Sequence, residues 1–155
     1  MYTIRALNPE KDRELFAEAY EWRSHKRLSR DVEGIIDFED FVNLGPDEVL
    51  MGLFNGKLQA VYLIQDRGER RFEVHFTNRP GLARELLAAG ALTIKNWLFE
   101  NGASEIYGWI RERHFNPRHP VRQFAESIGF WPSGDLHVGG RGGRTFWWRK
   151  FSAVR

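Results

Sequence analysis

In the stretch RRFEVHF, Glu73 and His75 alternate with Phe72, Val74 and Phe76. A strand sends successive side chains to opposite faces, so the acid and the imidazole share one face and the three apolar residues the other. A carboxylate beside a histidine can take a proton from an incoming nucleophile, and an unperturbed histidine titrates at roughly pH 6.5. Left facing water, the same pair does no chemistry. The stretch NRPGLARELL follows directly. Here the strand breaks at Pro80 and Gly81 and a long helix begins. The first N–H groups of a helix lack partners and carry partial positive charge. Gly81 lets backbone approach an anion closely, Leu82, Ala83 and Arg84 present amides, and Arg79 and Arg84 add charge. Pro80 has no N–H to offer. The plain alternative is a tight strand-to-helix corner.

Other clusters carry less. His114 and His119 in RERHFNPRH are five apart, Pro117 breaks any helix between them, and arginines crowd them, so no metal site is expected. The chain has no cysteine, which excludes disulfides, thiol nucleophiles and thiolate metal sites. The tail GGRGGRTFWWRK mixes arginine, glycine and aromatics as single-stranded nucleic-acid binders do. Its simpler reading is a hairpin that packs Phe146, Trp147 and Trp148 on a sheet, with Gly139, Gly140, Gly142 and Gly143 in the turn. Tyr107 and Trp109 alternate with Ile106 and Ile110 and read as packing residues.

These groups need a scaffold, and 155 residues supply one domain, 1–155, with no linker or repeat. Apolar residues make up 42% and charged residues 28%, the balance of a folded chain. No apolar run reaches the roughly 20 residues of a membrane span and no signal peptide is visible, so a cytoplasmic location is the default expectation. Residues 1–108 carry 14 Lys and Arg against 18 Asp and Glu, while residues 109–155 carry 9 against 3. A basic end invites an anionic partner, a phosphate-bearing cofactor or nucleic acid.

YTIRALN reads as a first strand, and Asn8-Pro9 as the start of a helix. DFEDFVNLG predicts a short helix ending at Gly45-Pro46. EVLMGLFNGKLQAVYLIQ is a hairpin about Asn55-Gly56, and a turn at DRGER leads to RRFEVHF. A helix from Leu82 to about Glu100, a strand in SEIYGWIRE, a helix from Pro120 to Gly129 and the tail hairpin complete the chain. The fold class is therefore α/β (α+β), a mixed, mostly antiparallel sheet of about seven strands flanked by about four helices.

This order resembles the GNAT superfamily of acyl-CoA-dependent N-acyltransferases across nearly the whole chain. In GLARELL, Gly81, Ala83, Leu86 and Leu87 fall on the family's Gly-x-Gly/Ala-x-x-Leu-Leu positions. VRQFAESIGF is similar to its late helix ending in Gly-Phe, here Gly129-Phe130. The resemblance implies acetyl-CoA or another acyl-CoA as co-substrate, a small-molecule or protein amine as acceptor, and transfer by direct attack aided by a general base. Glu73 and His75 are then the catalytic candidates, with the His75 or Phe76 amide at the oxyanion. Phe76, Asn78, Arg79, Gly81, Leu82, Ala83, Arg84 and Asn116 are the cofactor-binding candidates. Residues 21–45, including Asp37, Glu39 and Asp40, would line the acceptor. Two departures stand out. Asn78 replaces the usual Gln or Arg three residues before the first glycine, and Ala125 replaces the tyrosine that serves as general acid. Two other readings stay open: a catalytically diverged GNAT-like binding or structural module, for example in a phage particle, and a basic nucleic-acid-binding domain. A homodimer through the aromatic tail is a further possibility.

Overall fold

Asn55 and Gly56 reverse the chain as their types predict, with φ of 50° and 75°, and join β2 (Glu48–Phe54) to β3 (Lys57–Asp66). The computed structural model describes residues 1–26, 38–43, 47–141 and 144–155. Among them β1 (Tyr2–Ala6), β4 (Arg71–Asn78), β5 (Glu105–Arg111), β6 (Trp131–Arg141) and β7 (Arg144–Val154) complete a seven-stranded sheet in the order β1-β2-β3-β4-β5-β7-β6. The described α-helices are α1 (Arg13–Ala17), α2 (Phe38–Asn43), α3 (Arg84–Glu100) and α4 (Pro120–Ser127). β4 and β5 run parallel on either side of the α3 crossover, and the β1–β2, β2–β3, β5–β7 and β6–β7 pairs are antiparallel. This is the α/β (α+β) class expected. Among the described residues no helix is long and apolar enough to cross a membrane, and no group of three or more His, Asp or Glu is placed to hold a metal.

Two compact units make up the described chain. The first comprises Met1–Asp66 and Val74–Gly90. Its core gathers Phe16, Trp22, Phe38, Met51, Leu58, Val61 and Leu63, all nearly removed from water. Each large apolar side chain so buried contributes about 2 kcal/mol. The first helix starts later than predicted. Asn8 accepts from the amides of Glu10 and Lys11 at 3.0 and 3.1 Å and closes a turn, and α1 begins only at Arg13. Asp12 fixes that turn, taking both nitrogens of the Arg5 guanidinium at 2.8 Å and the Asn8 amide at 2.6 Å. Tyr2 and Tyr62 share a hydroxyl hydrogen bond of 2.6 Å. A Cβ at Gly90 would stand 2.0 Å from the Tyr62 hydroxyl, so only glycine lets α3 come this close to β3.

The second unit comprises Arg67–Glu73 and Ala91–Arg155. Ile94, Leu98, Ile106, Ile128, Phe130 and Phe151 are buried in it. Pro120 stands at the start of α4, where its missing N–H costs nothing, and Gly129 ends the helix with φ of 83°. Lys95 from α3 donates to the Ile128 carbonyl at 2.7 Å, a cation at the negative end of that helix. Glu105 is held between Arg71 and buried Lys150, at 2.9 and 3.1 Å. Burial pushes its carboxyl up, but the hydrogen bonds from both cations outweigh that and keep it below its ordinary value. The turn before β4 is strained, with Gly68, Glu69 and Arg70 all at positive φ, of 83°, 56° and 60°.

Candidate functional site

The bend after β4 belongs to the first unit. Gly81 takes φ of 83°, which side chains rarely adopt, and a Cβ there would meet nothing within 4 Å. The space beside the glycine is therefore open. Leu82 donates to the Arg79 carbonyl at 3.1 Å, which closes the turn and uses an amide expected to point at a ligand. The Ala83 carbonyl accepts from Leu86 and Leu87 at 3.0 and 3.3 Å, which makes it the residue that caps α3, yet alanine has no oxygen to cap with. The amides of Gly81 and Ala83 have no partner among the described residues. Exposed Arg84 opens the helix behind them. Open space, two amides without a partner among the described residues and the start of a 17-residue helix are what an anion at this bend would meet.

The two residues before the bend turn inward instead. Arg79 donates from Nε and Nη2 to the Leu58 carbonyl at 2.9 and 2.7 Å, grips both oxygens of Glu18, and lies 5.5 Å over the Trp22 ring. The Arg79 hydrogen bond holds the Glu18 carboxyl below its ordinary value. The charge expected at the cradle from Arg79 is thus spent inside its own unit. Asn78 exchanges two bonds of 2.9 Å with the Ser24 hydroxyl, and its side-chain amide donates to the Arg79 carbonyl at 3.1 Å. Phe76 packs edge-on against Tyr62, with ring centroids 5.4 Å apart, and His75 is half-buried on the same strand. Thr77 is fully buried, and neither its hydroxyl nor the Trp22 indole N–H has a hydrogen-bond partner among the described residues. Residues 27–37, and with them Asp37 and part of the expected acceptor lining, lie outside the described residues.

Glu73 belongs to the second unit. It is 8% exposed, and its two oxygens are engaged separately, one by the Trp109 indole N–H at 2.9 Å and the other by Arg67 at 2.8 Å. Glu73 and Tyr107 are opposite each other in the β4–β5 register. Burial raises the Tyr107 hydroxyl above its ordinary value, and the Glu73 charge adds to this. The two donors occupy both oxygens and fix the orientation of the carboxylate. Trp109 and Arg67 were missed in the sequence. Alternation put Trp109 among the packing residues, and nothing in a strand's periodicity marks an indole N–H that reaches a carboxylate on the neighbouring strand. The 6.3 Å edge contact between Tyr107 and Trp109 is the packing that was expected.

Asn116 is exposed and serves its own loop, accepting from the Arg118 amide at 2.9 Å. His114 and His119 stack with centroids 4.3 Å apart, and His119 accepts from the Val121 amide at 3.1 Å to cap α4. In the tail, Trp148 is half-buried with Arg111 5.1 Å over its ring, but Trp147 is 52% exposed rather than packed on the sheet. Val138 stands opposite it on β6 and leaves that face open. The turn glycines 142 and 143 lie outside the described residues.

No protein-family model matches this sequence, and no curated protein matches it either. Solved structures do. An N-acetyltransferase from Staphylococcus aureus Mu50 superposes with a TM-score of 0.70 at 8% identity, over 99% of this chain and 98% of that one. An acetyltransferase of the GNAT family from Streptococcus pneumoniae gives 0.63 at 17%, over 99% of both chains. The fold is the GNAT acetyltransferase fold. A third structure, yncA from Salmonella typhimurium, solved with its cofactor acetyl-CoA, gives 0.63 at 19%, over 99% of this chain and 93% of that one. At such identities the likeness speaks for the GNAT fold, and the chemistry has to be argued from this chain's residues. Ala125, expected from the resemblance to stand where the family has a tyrosine, is 8% exposed.

Proposed function

We propose that this chain is an acyl-CoA-dependent N-acyltransferase that moves an acetyl group to an amine. The observation that carries this reading is the bend at residues 79–84: Gly81 in a left-handed conformation beside open space, and two amides without a partner among the described residues at the start of α3. The Gly81 and Ala83 amides and the Arg84 charge would hold the pyrophosphate. When bound, acyl-CoA supplies a thioester carbonyl for an amine to attack.

An amine attacks only when neutral, so a proton must leave it. In this reading Glu73 takes that proton, directly or across a water, with Trp109 and Arg67 fixing its orientation. His75, two residues along β4, is the second candidate base. The amide of His75 or Phe76 would meet the oxygen that gains charge. Ala125 offers no proton to the departing thiolate, so solvent must supply it and turnover is modest. That same alanine favours a second reading, a module that binds acyl-CoA without transferring its acyl group.

Incubation with acetyl-CoA and a panel of small amines and peptide N-termini, followed by assay of free thiol, separates the two. Amine-dependent thiol release that drops sharply in Glu73→Gln supports transfer. Binding with no release over the whole panel leaves only the module.

A further inference from the structure

We infer that β6 pairs antiparallel with β6 of a second copy, closing a two-fold dimer. β6 ends the strand order, so its outer row of N–H and C=O groups has no strand beside it among the described residues. Exposed edges of this kind pair with other chains unless charge, proline or a bulge protects them. The first part of β6 has such protection, with Pro132 and an irregular register between Pro132 and Leu136. The stretch from Leu136 to Gly140 has neither, carries no charged residue and runs in unbroken register with β7. Its apolar side chains lie open, Leu136 at 50% and Val138 at 48% exposed. Val138 stands opposite Trp147 of β7, itself 52% exposed, so one face of the hairpin presents a strip of apolar surface that reaches the free edge.

The occupant follows from the sequence of that edge. Laid antiparallel on itself about Val138, DLHVGGR is self-complementary. Asp135 comes opposite residue 141 of the other copy, an arginine. Leu136 comes opposite Gly140 and His137 opposite Gly139, large against small. Val138 meets Val138 at the axis, flanked on both sides by Trp147. Opposite charges and apolar pairs directly across a ladder are the contacts that stabilise a sheet. Asp135 lies 3.6 Å from the Lys150 ammonium of β7 and keeps 65% of its side chain exposed. The other free edge, β1, is five residues long and carries Arg5 as its fourth residue. Pairing β1 of one copy to β6 of another would be head-to-tail and would grow without closing. Pairing β6 to β6 stops at two.

Sedimentation equilibrium on the full chain across the micromolar range tests this. A monomer–dimer equilibrium is expected, and it weakens about tenfold or more in Val138→Lys, because two like charges then meet at the axis. Asp135→Lys and Arg141→Glu, each first shown folded by circular dichroism, should each weaken the dimer alone. Mixed in equal amounts they should restore it, since both contacts in the heterodimer are then attractive. A wild-type monomer, open-ended growth, a dimer indifferent to Val138→Lys, or a mixture no tighter than its parts would overturn the proposal.

Discussion

The stability of this protein should fall as the solution is acidified from pH 6.5 toward 4, through one buried histidine. His25 is 1% exposed, with Tyr20 and Phe16 edge-on to its ring at centroid distances of 4.9 and 6.4 Å. Burial disfavours its charged form and pushes its pKa from 6.5 down to about 4. The folded pKa is the lower one. Below pH 6.5 the unfolded chain therefore binds a proton that the folded chain refuses, and stability is complete above pH 6.5 and lost on the way down to about 4. At 1.36 kcal/mol per pKa unit the gap amounts to about 3 kcal/mol, a large share of the roughly 5–15 kcal/mol that holds a domain together. Urea unfolding of wild type and His25→Leu at matched pH isolates it. Asp12, held below its ordinary value by the Arg5 hydrogen bond, also destabilises the fold in acid, but it titrates in both proteins and cancels. Wild type should lose about 3 kcal/mol more than the variant between pH 7 and 4. Parallel curves, or an imidazole NMR midpoint for His25 near the ordinary value, would show that burial does not keep this histidine neutral.

Four further outcomes follow from named residues. Lys95→Met removes the cation from the α4 terminus and should cost about 1–2 kcal/mol in chemical denaturation. Gly129→Ala should cost at least as much, since φ is 83° and the new Cβ would stand 2.7 Å from the Lys95 ammonium. Glu69→Gly and Arg70→Gly should each raise stability by about 0.5–1 kcal/mol, read from the urea midpoint, because both residues are held at positive φ. Trp109→Phe removes a donor from the buried Glu73 carboxylate, so stability should drop by about 1–3 kcal/mol in urea unfolding.

Most of the fold was legible because its signals are local. Asn55-Gly56, Pro120, Gly129 and the alternation in RRFEVHF each act within a few residues. The first helix was misplaced because Asn8 has two uses for its side chain, and closing a turn with Asp12 and Arg5 displaced capping a helix. Gly81 was found because a left-handed bend and a helix start leave a mark in the sequence. The destination of Arg79 left none: its partners Glu18 and Leu58 are 61 and 21 residues away. The same holds for Glu73, whose indole donor is 36 residues on. Side-chain partners brought in by the crossover cannot be read from spacing, and they decide whether a carboxylate is a free base or a held one.

If the chain takes an acyl-CoA, the bend at Gly81 grips its phosphates. Calorimetric titration of acetyl-CoA into wild type and Gly81→Val tests it most directly, with circular dichroism to show that the variant is folded. One site per chain is expected in the wild type, with a loss of at least about tenfold in the variant, since a branched side chain both resists positive φ and fills the space beside the bend. No heat of binding at high micromolar acetyl-CoA, or equal affinity in the two proteins, would contradict it.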